Sequence, residues 1–262
     1  MSKLSKVDLE ELGRAKALLE SPGLAARITD ALGTPIEKGF KLLPAKWSAR
    51  VKVATRAALG HALQVALGTM DGKAVEQPSN VWHKVAVAVS GGVGGAFGLV
   101  ALPLELPIST TIMLRSIADI ARTHGEDLNT APSRLACLEV FALGGRSPSD
   151  DASESGYYLV RAALARAITE AAEYIAERGL AEEAAPALVR LVAAIGARFG
   201  VVVSEKAAAM AIPAIGAAGG ALVNTLFIDH FQNMAQGHFT VRRLERKYGE
   251  SAVKAAFEEL PA

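Results

Sequence analysis

Three stretches of this chain carry residue types at spacings that could do chemistry. The first is VAVAVSGG, where Ser90 follows a short run of β-branched residues and precedes Gly91 and Gly92. Ala88-Val89-Ser90-Gly91-Gly92 is a relative of the G-x-S-x-G nucleophile elbow, in which small neighbours let a strand turn sharply and push the hydroxyl forward. Asp119 or Asp127 with His124, or Asp229 with His230, could supply the partners. That machinery needs a parallel sheet, however, and the remaining pattern is helical, so the plainer alternative is a helical Ser90 bonding back to its own backbone. The second stretch is the glycine run beyond it. A dinucleotide loop requires G-x-G-x-x-G, but the sixth position counted from Gly92 is Phe97, and the Gly-Lys pair of a P-loop is missing. The third is the set of histidines, His61, His83, His124, His230 and His238. They are scattered without an H-E-x-x-H, so neither a metal nor a cofactor is expected, and surface or capping roles are.

The glycines make better sense as packing surface. Gly91 and Gly95, Gly94 and Gly98, and again Gly216 and Gly220 are four apart, which on a helix makes a flat strip for a second backbone. Each helix-interior glycine costs about 0.5–1 kcal/mol against alanine, so close packing or a bend must return the loss. Beside this strip lies PLELP, with Glu105 between two prolines, followed by a polar stripe of Thr111, Arg115, Asp119 and Arg122 on an otherwise apolar helix. Thr225, Asp229, Gln232 and Gln236 form a similar stripe further on, with His230 next to it. Such groups either face water and pair among themselves, or are buried and must each meet an opposite charge or a ligand. For Glu105 the candidates are water, Arg115 or a bound headgroup.

The elements that must position these residues read as helices throughout. Hydrophobic residues are 51% of the 262 but aromatics only 5%, an Ala/Leu/Val composition that favours closely packed helices over sheets. The net charge is +1, from 28 basic and 27 acidic residues, which leaves no field to gather nucleic acid. The single cysteine, Cys137, reads as a small core hydrophobe and permits no internal disulfide. The start, with its acids, is an amphipathic surface helix rather than a signal peptide, and a second short helix follows Ser21–Gly23 through Ala31. Lys46 to Thr69 is an amphipathic helix with a stripe of Val53, Leu59, Ala62, Val65 and Ala66 and a basic start of Lys46, Arg50, Lys52 and Arg56. A loop spans 70–80.

Two charge-free runs follow, twenty residues between Lys84 and Glu105 and twenty-two between Lys206 and Asp229. Each is long enough for a bilayer core of about 30 Å, but Gly, Ala and an internal proline keep both far less hydrophobic than a Leu-rich span. They echo one another as two related helical hairpins. Gly144 to Ser155 has the composition of a mobile connection between the halves, within one domain of 1–262. Helices are expected over 157–178 and 181–199, the second with Pro186 near its start, and a closing charged helix is expected to break or end at Gly249. The fold class is all-α: a multi-helix bundle with two Gly/Ala-rich central hairpins enclosed by amphipathic helices.

Four segments carry a resemblance: PIEKGFKLLP, HKVAVAVSGGVGGAFGLVALPLELPISTTIMLRSIADIARTHGED, CLEVFALGG and IPAIGAAGGALVNTLFIDHFQNMAQGHFTVRRLERKYG. Over nearly the full chain the sequence resembles the EcsC protein family. The resemblance implies a bacterial, cytoplasm-facing, membrane-associated setting, the family being named after an ABC-transporter operon, and it carries no catalytic residue across. The expected function is therefore lipid binding or peripheral association with the inner face of a membrane. The alternatives are an interaction module docking on a transporter, and a hydrolase using Ser90.

Overall fold

The computed structural model of the chain describes residues 4–21, 23–69, 102–145, 156–178, 185–212 and 216–261. These residues form ten helices and no strand: α1 Lys6–Leu19, α2 Leu24–Leu32, α3 Ile36–Leu42, α4 Trp47–Thr69, α5 Leu102–Thr123, α6 Ala131–Leu143, α7 Gly156–Arg178, α8 Pro186–Met210, α9 Gly216–Tyr248 and α10 Glu250–Glu259. The fold is an all-α multi-helix bundle. Several helix ends follow local chemistry. The Ser5 hydroxyl accepts from the Asp8 amide to start α1, and Thr130 does the same for Ser133 at the start of α6. Pro186 opens α8. Gly249, at φ +87°, lets the chain turn from α9 into α10, a backbone position that disfavours a side chain. The Gly/Ala run before Glu105 and the 146–155 connection lie outside the described residues. The run after Lys206 is divided between α8 and α9.

The 33-residue α9 is the axis. Val223, Phe227, Phe231, Met234 and Phe239 recur at intervals of three to five and are all buried, so its apolar face stays covered along its length. Helices α1, α2, α5, α6, α8 and α10 pack on it. At its centre Phe227 and Phe231 meet Phe141 of α6 and Phe199 of α8, with ring centroids 5.0–6.1 Å apart in tilted and edge-on pairs. At the far end Asp8 accepts from Lys247 Nζ at 2.8 Å and Tyr248 Oη at 2.6 Å, tying α1 to the end of α9. Lys16, itself buried, donates to the carbonyls of Phe257 and Leu260 at 3.0 and 2.6 Å and so caps the last turn of α10.

The second organiser is α8, which touches α2, α3, α4, α6, α7 and α9. On α4 the stripe largely holds, since Leu59, Ala62 and Ala66 are buried, but Val53 is 71% exposed and belongs to the surface. Cys137 lies in the core as expected. Glycines serve two different purposes here. A Cβ on Gly39 would lie 2.0 Å from the Ala208 carbonyl oxygen, so α3 rests backbone to backbone on α8. Gly60 of α4 and Gly200 of α8 have no atom within 4 Å of that position. Gly39→Ala is therefore expected to destabilise the protein by about 2 kcal/mol or more, whereas Gly200→Ala should stabilise it by about 0.5–1 kcal/mol. Urea unfolding of both variants checks this, and equal effects would contradict the assignment.

Candidate functional site

Glu105 sits in the first turn of α5 and Lys206 about one turn from the end of α8. Their exposures are 6% and 0%. Lys206 Nζ lies 2.9 and 2.8 Å from the two carboxylate oxygens, and Asn224 Nδ2 of α9 donates to Oε1 at 3.3 Å. The remaining side of the ammonium lies 4.6 Å from the centroid of the Phe227 ring, a cation–π contact. The two helix termini favour the two charges where they stand, a carboxylate near an N-terminus and an ammonium near a C-terminus. Glu105 therefore faces neither water nor Arg115: its partner is Lys206, which in sequence only bordered a charge-free run.

The other sequence candidates are not gathered around this pair. Gly91, Gly94, Gly95, Gly98 and Ser90 lie outside the described residues. Arg115 is exposed, while Asp119 accepts from Arg122 at 2.7 Å on its own helix, about 21 Å along α5 from Glu105. Asp229 is half-buried. His230 is buried and its Nε2 lies 2.8 Å from the Gly144 carbonyl, which can only accept, so Nε2 carries a proton. Together with Arg198, which donates to the Ala142 carbonyl at 3.1 Å, it caps the end of α6. His230 is thus an interior capping histidine, within the expected surface or capping roles, whereas His238 is interior and among the described residues caps no helix, which corrects that expectation for His238. Among the described residues no group of three metal-ligating side chains comes together.

A second polar cluster joins α6, α7 and α9 and was not anticipated. Arg161 makes a two-pronged bond to Glu245 at 2.6 and 3.0 Å and lies over the Tyr157 and Tyr158 rings. Tyr157 Oη is 3.0 Å from His238 Nδ1, and His238 Nε2 is 3.7 Å from Glu139 Oε2. Burial pushes Glu139 up to about 7, although Arg161 and Arg242 pull the other way. Burial, then Arg242 and Arg161, hold His238 well below its ordinary value. Nearby, burial also works to raise Glu126, but Arg242, Ser133 and Arg246 outweigh it and keep the carboxylate charged. Cys137 is pushed up by burial and stays a thiol. With Glu139 and His238 almost wholly enclosed, the cluster is a structural weld between helices rather than an open reaction site.

The open space lies elsewhere, between α4 and α8. One cavity of about 510 Å³ is walled by Leu63, Leu67, Leu188, Val189 and Val192, with Arg56, Gly60 and Gln64 at its border. A second of about 400 Å³ is lined by Ser48, Lys52, Thr55, Gly196, Gly200 and Ser204 among others. Arg56, Val192 and Ala193 line both, so they form one groove. Its pairing of Ser48 with Ser204 at one end and Leu67 with Leu188 at the other means that the two helices run antiparallel. A four-residue stride along α8 keeps Ala193, Ala197, Val201 and the glycines on the lining side. Sequence reading found the basic start of α4 but not the groove, because small residues at that spacing read equally as a close contact.

The described residues thus form an all-α bundle with two buried polar clusters and a groove between α4 and α8. The EcsC protein family matches residues 8–244, most of the chain, and the protein belongs to that family. No curated protein and no solved structure matches it.

Two outcomes follow from the buried charges. Lys206→Met strands Glu105 in the core and should cost about 3–5 kcal/mol, most of it restored by adding Glu105→Leu; chemical denaturation of the two single variants and the double variant measures this, and additive losses would contradict it. Glu139 ordinarily titrates near 4.5 but near 7 in the fold, so the folded protein keeps a proton the unfolded chain has released. Its contribution to stability therefore falls as pH rises from about 4.5 to about 7 and stays lost above. His238 acts oppositely below its ordinary 6.5. Relative to its difference from the native protein at pH 4, Glu139→Gln should gain on the order of 1–3 kcal/mol at pH 8. A pH-independent difference between the two in urea titrations would refute this.

Proposed function

We propose that this EcsC protein binds the acyl chain of an amphiphile in the α4–α8 groove and works against a membrane surface. The observation that carries the reading is the groove itself, an apolar cavity of about 510 Å³ open to the surface, in the size range of small-molecule sites. From Arg56 to Leu67 the wall on α4 is about 17 Å long, close to the roughly 15 Å of one leaflet of a hydrocarbon core. The surface around it supports contact with a bilayer. Val53, Val189 and Val201 are 71%, 53% and 40% exposed on the same two helices, and Lys46 just before α4 and Arg50, Lys52 and Arg56 on it are all exposed. Exposed apolar side chains with a cluster of cations at one end are what an anionic leaflet attracts. Helix α8 is also long and apolar enough to cross a membrane by length and composition, with a mean hydropathy of 1.8 over its best window and only 33% of that window buried. The buried Lys206 near its end argues for lying on the surface instead, since a spanning α8 would have to carry that ion pair into lipid.

Organic extraction of the natively purified protein, followed by mass spectrometry, should release a chain-bearing amphiphile at about one per protein. Gly60→Leu projects a side chain into open space within the groove and should abolish retention without loss of stability. An extract free of amphiphile, together with no co-sedimentation with anionic vesicles, would defeat the reading.

A further inference from the structure

The two ends of the groove differ in chemistry. At one end Ser48, Lys52, Thr55, Arg56 and Ser204 bring three hydroxyls and two cations into an otherwise apolar lining, and no carboxylate lines it among the described residues. Glu205, next in sequence to Ser204, is turned toward α2, where it meets the Ala25 backbone amide. Thr55 is the most informative residue here. Helical hydroxyls in this protein ordinarily return to a carbonyl one turn back, as Thr111 does to Pro107, Thr169 to Ala165, Thr225 to Ala221 and Ser204 to Gly200, at 2.6–3.0 Å. Thr55 is 2% exposed, lines the cavity, and among the described residues its Oγ1 has no partner. A buried hydroxyl left without a bond is costly unless something else supplies one.

We propose that this end takes the phosphate of a single-chain phospholipid whose tail lies in the apolar end, with Arg56 at the junction. The proposal rests on the acyl-chain reading above. A phosphate monoester carries between one and two negative charges at neutral pH and accepts several hydrogen bonds, which matches two cations and a free hydroxyl better than a carboxylate does. The planar fork of Arg56 suits two phosphate oxygens at once. Lys52 adds a point charge, and Thr55 donates from within.

The test is calorimetric titration, below micelle-forming concentrations, with three probes sharing a palmitoyl chain: lysophosphatidic acid, monopalmitoylglycerol and palmitate. Lysophosphatidic acid is expected to bind about tenfold more tightly than the other two, as the loss of a charge-assisted bond implies. Arg56→Gln should remove that preference. Thr55→Val should lower lysophosphatidic acid affinity by about threefold or more while leaving the unfolding midpoint unchanged or higher, a combination a merely structural hydroxyl would not give. Equal binding of all three probes overturns the headgroup assignment and leaves the acyl-chain reading standing. Palmitate equalling lysophosphatidic acid makes this a carboxylate site and overturns the phosphate. Binding of none, whether a second copy covers the face or no amphiphile enters, overturns both readings.

Discussion

A lysine and a glutamate sealed from water set the terms for this structure. Neither Lys206 nor Glu105 can be left alone in the core, so the start of α5, the end of α8 and the Asn224–Phe227 segment of α9 must meet at one point. Fixing Lys206 inward also fixes the rotation of α8 about its own axis. At about 100° per residue, Ala197, Gly200, Val201 and Ser204 then fall roughly half a turn round from it, on the side that borders α4. The ion pair and the groove are in this sense two faces of the same helix.

The weld among α6, α7 and α9 has a complementary effect. Arg161, Glu245, Tyr157, His238 and Glu139 join three helices through polar contacts inside the bundle, and Glu126 with Arg242 extends the join to the loop before α6. The groove itself shows two local costs to stability. Gly60 and Gly200 leave open space in mid-helix, and Thr55 leaves a hydroxyl without a bond. Elsewhere glycine is used for contact, at Gly39 against Ala208 and at Gly145 against Arg198.

Much of the helical plan was legible in the sequence because the stop and start signals are local. Pro186 and Gly249 act within one turn of where they stand, and each marks a helix end in the structure. Glu105 drew notice as a lone acid between prolines, but its partner is 101 residues away, and nothing short-range points to Lys206. The clue that was available is that each charge borders an uncharged run, which makes burial of both plausible and pairing the economical solution. His230 caps a helix as one of the expected roles allows, but the burial of His238 was not legible, because it depends on which distant hydroxyl meets the ring. The groove was invisible for a related reason: a stride of Gly and Ala says that something comes close, without saying whether it is a helix or a ligand.

Occupation of the groove by an acyl chain is tested most directly by hydrogen–deuterium exchange measured with and without a palmitoyl amphiphile. Added ligand should slow exchange in Ser48–Leu67 of α4 and Leu188–Ser204 of α8, with α9 and α10 unchanged. Protection confined to other helices, or none at all under saturating ligand, would contradict it.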